Sequence, residues 1–202
     1  MKVTQSSLCV LLDANIIIEA HALNVWASIV QRVTLVVPAT VLAEATHYTS
    51  PQTGMRMEIH LETAVREGVI REVSATAEQL AELVNRFDVV FIQRMDRGES
   101  EALALLLAGE LEDCLFCSSD GPAIRALNLL GMPERGISLE RLLRTSGLER
   151  HLPRPFDEHF FREMQERGAR EFIQGTGLRH TEPRNKSVQG KTQRKGRSRK
   201  KR

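Results

Sequence analysis

The chain has 202 residues, 42% hydrophobic and 27% charged, enough to bury one core with an appendage and too short for two full domains. No uninterrupted apolar run approaches the ~20 residues that span a bilayer, and the N-terminus lacks the basic flank and cleavage site of a secretory signal, so a cytoplasmic protein without membrane partners is expected. The formal charge of +2 hides an asymmetry: ten of the 28 Lys and Arg lie in residues 184–202, which hold no acid, leaving 18 against 26 acids and a formal charge of −8 over residues 1–183. An acidic body with a cationic extension is the charge plan of a protein that meets a polyanion through its tail.

Residues 7–12 form the first predicted strand, apolar throughout and suited to burial on both faces. Residues 15–23 and 24–32 read as helices, and 34–37 as a second short apolar strand closed by Pro38. A helix over 39–47 follows, with Val41, Leu42 and Ala45 inward; 49–53 is a loop, and 55–66 is assigned to a helix. Residues 69–73 read as a strand, and Thr76 caps a helix running to about residue 87. Asp96-Arg97-Gly98 marks a turn before the most apolar helix, 99–111. Next come a strand at 115–118, a helix at 122–130 closed by Gly131, a short strand at 136–138 and a helix at 139–145. Such alternation predicts an α/β class with a three-layer α/β/α arrangement around a mainly parallel sheet. Beyond Gly147 a charged amphipathic helix over 156–173 is expected, and then a disordered basic tail with little to bury. The domain plan is therefore a body at 1–147, a helical extension at 148–175 and a tail at 176–202.

The three cysteines are Cys9, Cys114 and Cys117. The last two have CxxC spacing, but Cys-Leu-Phe-Cys reads as a buried strand, in which positions three apart point to opposite faces. No second Cys pair completes a zinc site, so reduced thiols packed in the core are expected.

The chemistry-bearing signal is acidic. Asp13 ends the first apolar strand and Asp120 ends the strand at 115–118. In parallel sheets, sites lie outside the carboxyl ends of the strands, where both fall. An Asp at a strand end also serves as a helix cap, and Asp120 stands two residues before Pro122, in a first helical turn. Glu44 lies in the apolar helical stretch Val41-Leu42-Ala43-Glu44-Ala45, with His47 three residues on. Glu99 and Glu101 open the most apolar helix, where acids also suit the helix dipole. Residues two apart on a helix point about 200° apart, so one of these two faces the sheet edge, and Glu99 is favoured. Asn15 can orient a water or the Asp13 carboxylate, and the Ser118 hydroxyl can hold a phosphate or steady the acid. Carboxylates gathered at one edge repel unless a cation sits among them, and oxygen ligands suit Mg²⁺ or Mn²⁺. Haloacid-dehalogenase phosphatases also start with strand–Asp, but they need a second Asp two residues on, where this chain has Asn15.

The order of these motifs resembles the PIN domain family: strand–Asp13-x-Asn15, helix–Glu44, Gly98-Glu99-x-Glu101-Ala102 opening a helix, and strand–Ser118-x-Asp120 before a helix. The likeness covers about residues 7–145. It implies a PIN-like fold and a metal-dependent nuclease that hydrolyses RNA, leaving 5′-phosphate and 3′-hydroxyl ends. On that basis Asp13, Glu44, Glu99 and Asp120 form the catalytic quartet; the same four with Glu101 hold Mg²⁺ or Mn²⁺, supported by Asn15 and Ser118. Many members are toxins, so a protein antitoxin or other regulator is an implied partner, and a homodimer is an allowed assembly. The tail is outside the family pattern; its Arg194, Lys195, Arg197, Arg199, Lys200, Lys201 and Arg202 are expected to contact RNA phosphates. The alternative is a non-catalytic PIN-like scaffold that binds nucleic acid or protein through the tail.

Overall fold

A computed structural model describes residues 8–179. The basic residues assigned to RNA contact, Arg194 to Arg202, lie outside the described residues.

The elements run β1 (Cys9–Leu12), α1 (Ala14–Ala22), α2 (Trp26–Val30), β2 (Thr34–Pro38), α3 (Ala39–Glu44), β3 (His47–Thr49), β4 (Arg56–Glu58), α4 (Leu61–Arg66) and β5 (Ile70–Val73). They continue with α5 (Ala77–Arg86), α6 (Val89–Ile92), α7 (Arg97–Leu107), β6 (Cys114–Cys117), α8 (Gly121–Leu129), a 3-10 turn (Pro133–Arg135), β7 (Gly136–Ile137), α9 (Leu139–Thr145) and α10 (Glu158–Gln174). Five strands form one parallel sheet in the order β5-β2-β1-β6-β7. Strand alternation splits the core in two. Val10, Leu12, Leu35 and Val37 face one layer with Ile16, Ile17, Ile29 and Leu142. Leu11, Val36 and Phe116 face the other with Leu83, Leu103 and Leu127. The protein is thus the expected α/β class with helices on both faces of a parallel sheet.

The strand order reverses between β1 and β6. From β1 the chain winds outward through β2 to β5, then returns to β6 on the other side of β1 and continues to β7. A crevice opens at such a switch point, above the carboxyl ends of the two strands.

Several expectations differ from the structure. The helix expected over 39–47 ends at Glu44, and His47 opens β3 instead. Residues 55–66 are not one helix: Met55-Arg56-Met57-Glu58-Ile59-His60-Leu61 alternates apolar and polar at strand period, and β4 pairs antiparallel with β3 before α4 begins. The cysteines are not all free thiols. Cys9 and Cys114 are register partners in β1 and β6 and are joined as a disulfide, while Cys117 is free and buried. Residues 176–179, expected in the disordered tail, are packed on the body: the Gly177 carbonyl accepts from Asp88 N–H, Leu178 bridges Phe87, and Arg179 N–H donates to the Arg86 carbonyl.

Helix α10 is equally part of the body. Asp157 caps it, and Phe161, Met164 and Gly168 are its buried stripe. It lies on α8 so closely that a Cβ at Gly168 would stand 2.9 Å from the Arg125 Cα and carbonyl oxygen. Arg125, buried on α8, pairs with Glu171 on α10 at 2.6 Å. A Gly-to-Ala change inside a helix ordinarily gains about 0.5–1 kcal/mol. Here the methyl meets backbone, so Gly168→Ala should instead lower stability by about 1–3 kcal/mol, the cost of overpacking. Urea unfolding checks the sign; a raised midpoint contradicts the close crossing.

Candidate functional site

Asp13 stands at the crevice because β1 ends there. Its backbone N–H donates to the Cys117 carbonyl at 3.1 Å, extending the β1–β6 ladder by one bond. It occupies the N-cap position of α1, yet its side chain makes no capping bond. Instead its Oδ2 accepts from the Ser118 hydroxyl at 3.1 Å. With only 2% of Asp13 exposed, this carboxylate is turned into the protein rather than spent on its own helix.

Asp120 follows β6 after Ser118-Ser119 on the other side of the crevice and does cap its helix, accepting from Ala123 N–H through Oδ1. Ser118 Oγ accepts from Asp120 N–H while donating to Asp13, so one hydroxyl fixes both strand ends. Glu99 comes from the N-terminus of α7. Its Oε2 accepts from Asp96 N–H, and Asp96 Oδ1 accepts from Glu99 N–H, a reciprocal capping box. Glu99 also shares a side-chain hydrogen bond with Asp120. Asp13, Glu99 and Asp120 therefore come together from three separate elements.

The electrostatics follow from that crowding. Burial first, then the charge of Asp96, and more weakly Asp120, raise the Asp13 carboxyl from 3.8 to about 7. Burial, then Asp120, Asp96 and Asp13, raise Glu99 to about 9. Asp120 is raised as well, chiefly by burial, against lowering by its Ala123 and Glu99 hydrogen bonds and by Arg125. Two carboxyls joined by a hydrogen bond share a proton, and the pair titrates as a unit. Glu99 holds that proton more tightly, since it is the more buried of the two.

Glu44 reaches the rim. It is exposed near the end of α3, and it approaches α7 only because residue 98 is glycine: a Cβ there would lie 3.0 Å from Glu44 Oε2 and 2.8 Å from Val41 Cγ2. Burial and the nearby Asp96 raise its carboxyl. Glu101 is turned elsewhere. Its Oε2 accepts from Thr40 N–H and Oγ1, and its Oε1 from Ala75 N–H, so it ties α7 to the first turn of α3 and to the chain just past β5. Asn15 is exposed on the first turn of α1. Asp96 and Arg125 escaped the sequence reading. The Asp96-x-x-Glu99 spacing before an apolar run was a legible capping signal, whereas the approach of Arg125 depends on α10.

The donors at the crevice are carboxylate oxygens, the chemistry that hard divalent cations take. In the arrangement described, Glu99 and Asp120 bond to each other, and among the described residues no group of three or more His, Cys, Asp or Glu is set in ligating geometry. No helix among them is long and apolar enough to cross a membrane. The chain matches no protein-family model and no curated protein at a significant level.

The neighbouring acids Glu99 and Glu101 predict opposite responses to the same substitution. Glu99→Gln keeps the capping box and removes the cost of protonating on folding a carboxyl that is ionised in the unfolded chain, so it should raise the metal-free melting temperature at neutral pH. Glu101→Gln puts an amide NH₂ against backbone donors and should cost about 1–3 kcal/mol. The pH course has a fixed sign. The folded protein holds protons on Asp13 and Glu99 more tightly than the unfolded chain, so their contribution to stability is full below about pH 4. It is lost as pH rises through about 7 for Asp13 and about 9 for Glu99. Thermal melts across that window should fall less steeply for Glu99→Gln; a parallel fall in both proteins would contradict the crowding.

Proposed function

We propose that the β1–β6 crevice is the active site of a metal-dependent nuclease that hydrolyses RNA phosphodiester bonds, as the resemblance to PIN domains implies. The observation that carries this is the convergence of Asp13, Glu99 and Asp120 at the switch point, with proton affinities raised first by burial and then by the neighbouring acids. Such a cluster costs stability and gains nothing in a protein that never binds a cation.

In this proposal Asp13, Glu99 and Asp120 hold Mg²⁺ or Mn²⁺, with Glu44 at the rim facing a second cation or the substrate. A bound divalent ion supplies Lewis-acid activation of water and countercharge for the phosphate. The chain's own residues do the positioning. Ser118 fixes Asp13 and the Asp120 backbone together, and the capping box holds Glu99 at the start of a rigid helix. Glu101 keeps the start of α3 and the chain just past β5 in place behind it. Because residues 1–183 carry a formal −8, affinity for RNA comes from the basic tail rather than the rim. A cytosolic location belongs to the same proposal; the Cys9–Cys114 bridge weighs against it, since disulfides are uncommon there.

The absence of a preset ligating trio among the described residues favours one other reading, a PIN-like scaffold that binds without cleaving. Purified protein with mixed RNA should show cleavage with Mn²⁺ and none with EDTA, and Asp13→Asn should lose at least about 100-fold in rate while keeping its fold. Equal cleavage in EDTA or by the variant would sink the nuclease proposal, and binding without any cleavage would leave the scaffold. Truncation after Pro183 should weaken RNA binding and flatten its salt dependence while changing saturated cleavage little. An unchanged salt slope would assign the tail to something other than phosphate contact.

A further inference from the structure

The hairpin that the sequence pattern concealed carries an unpartnered edge with a self-complementary design. Strand β4 pairs with β3 in the register His47 with Glu58, Tyr48 with Met57 and Thr49 with Arg56. Ser50 N–H donates to the Met55 carbonyl, and Ile59 N–H to the Thr46 carbonyl. Hydrogen-bonded and non-bonded pairs alternate in an antiparallel ladder, so Tyr48 and Met57 form the bonded pair between those two. The N–H and C=O of Arg56 and Glu58 therefore point away from β3, out of the free edge. All three β4 residues are exposed.

The edge is complementary to its own sequence reversed. With Met57 on a two-fold axis, Arg56 lies opposite Glu58 of the second copy, and Glu58 opposite its Arg56. These are the residues whose backbone groups face outward, so the register makes four backbone hydrogen bonds and two opposite-charge cross-strand pairs together. A parallel in-register pairing would set Arg against Arg and Glu against Glu. Met55 and Met57 are 62% and 41% exposed, the two largest apolar side chains left to solvent on this hairpin. Two residues apart on one strand, they share the face opposite Arg56 and Glu58. On the two-fold, Met57 would lie against its counterpart beside Tyr48, and Met55 opposite Ile59 of the second copy. A self-complementary patch is what an isologous interface requires.

We propose that the outer edge of β4 is a homotypic interface through which two copies of this chain join antiparallel about Met57, extending the β3–β4 hairpin into a four-stranded sheet. This surface is separate from the acidic crevice, and its test does not depend on cleavage. Sedimentation of the full chain, freed of nucleic acid, should show a dimer. Arg56→Glu and Glu58→Arg should each raise the dissociation constant at least about tenfold, because each sets like charges opposite. The double swap restores opposite charges and should restore dimerisation. In a separate variant, Met57→Cys should crosslink to itself under mild oxidation, a readout that needs no charge change. A monomeric wild type without that crosslink, or a dimer indifferent to both single swaps, would overturn the proposal.

Discussion

The site depends on one pairing, the parallel register of β1 with β6. These strands lie side by side in the sheet although more than a hundred residues separate them in the chain, and their common edge is where the winding reverses. Leu12 is paired with Cys117, so each strand delivers its next residues to the same crevice. Asp13 follows directly from one, and Ser118-Ser119-Asp120 from the other. The Asp13 N–H to Cys117 carbonyl bond and the Ser118 hydroxyl carry the register one step past the strands themselves. A slip by one residue would send Asp13 to the opposite face and replace it with an apolar side chain.

What the fold gathers there is electrostatically uncomfortable, and local structure explains how it is tolerated. Asp120 and Glu99 each serve as helix-capping groups as well as members of the cluster, so backbone N–H dipoles offset part of their mutual repulsion. Asp13 has no such helix cap and accepts one side-chain hydroxyl, and its proton affinity rises accordingly. Gly98 permits a further approach, letting α7 close on α3 until Glu44 stands at the rim. Arg125, buried on α8 and held by Glu171, is the cation that lowers Asp120 from within the body. Helix α10 is thus coupled to the site through one ion pair.

The sequence showed the two central strand ends clearly, because one apolar run stops at Asp13 and the other gives way to Ser118-Ser119-Asp120. The helical period favoured Glu99 over Glu101 without separating them as ligands, since both were kept in the metal set; the structure turns Glu101 to Thr40 and Ala75. The β3–β4 hairpin was missed although Met55 to Leu61 alternates strictly, because such short strands look like one amphipathic stretch. The exposure of Glu44 was not legible: α3 has six residues, and their facing is set by contact with α7 rather than by periodicity. Nor was the Cys9–Cys114 pairing, which follows from a register between distant strands that no local pattern encodes.

The central claim is that the raised carboxyls of Asp13, Glu99 and Asp120 form a site for a divalent cation. A cation that binds there must displace the protons those groups retain. Calorimetric titration of Mn²⁺ into the full chain at about pH 7.5, repeated in two buffers with different ionisation heats, counts the protons released. The account predicts saturable binding with release of about one proton per site, lost in Asp120→Asn. Binding with no proton release, or binding untouched by that substitution, would contradict it.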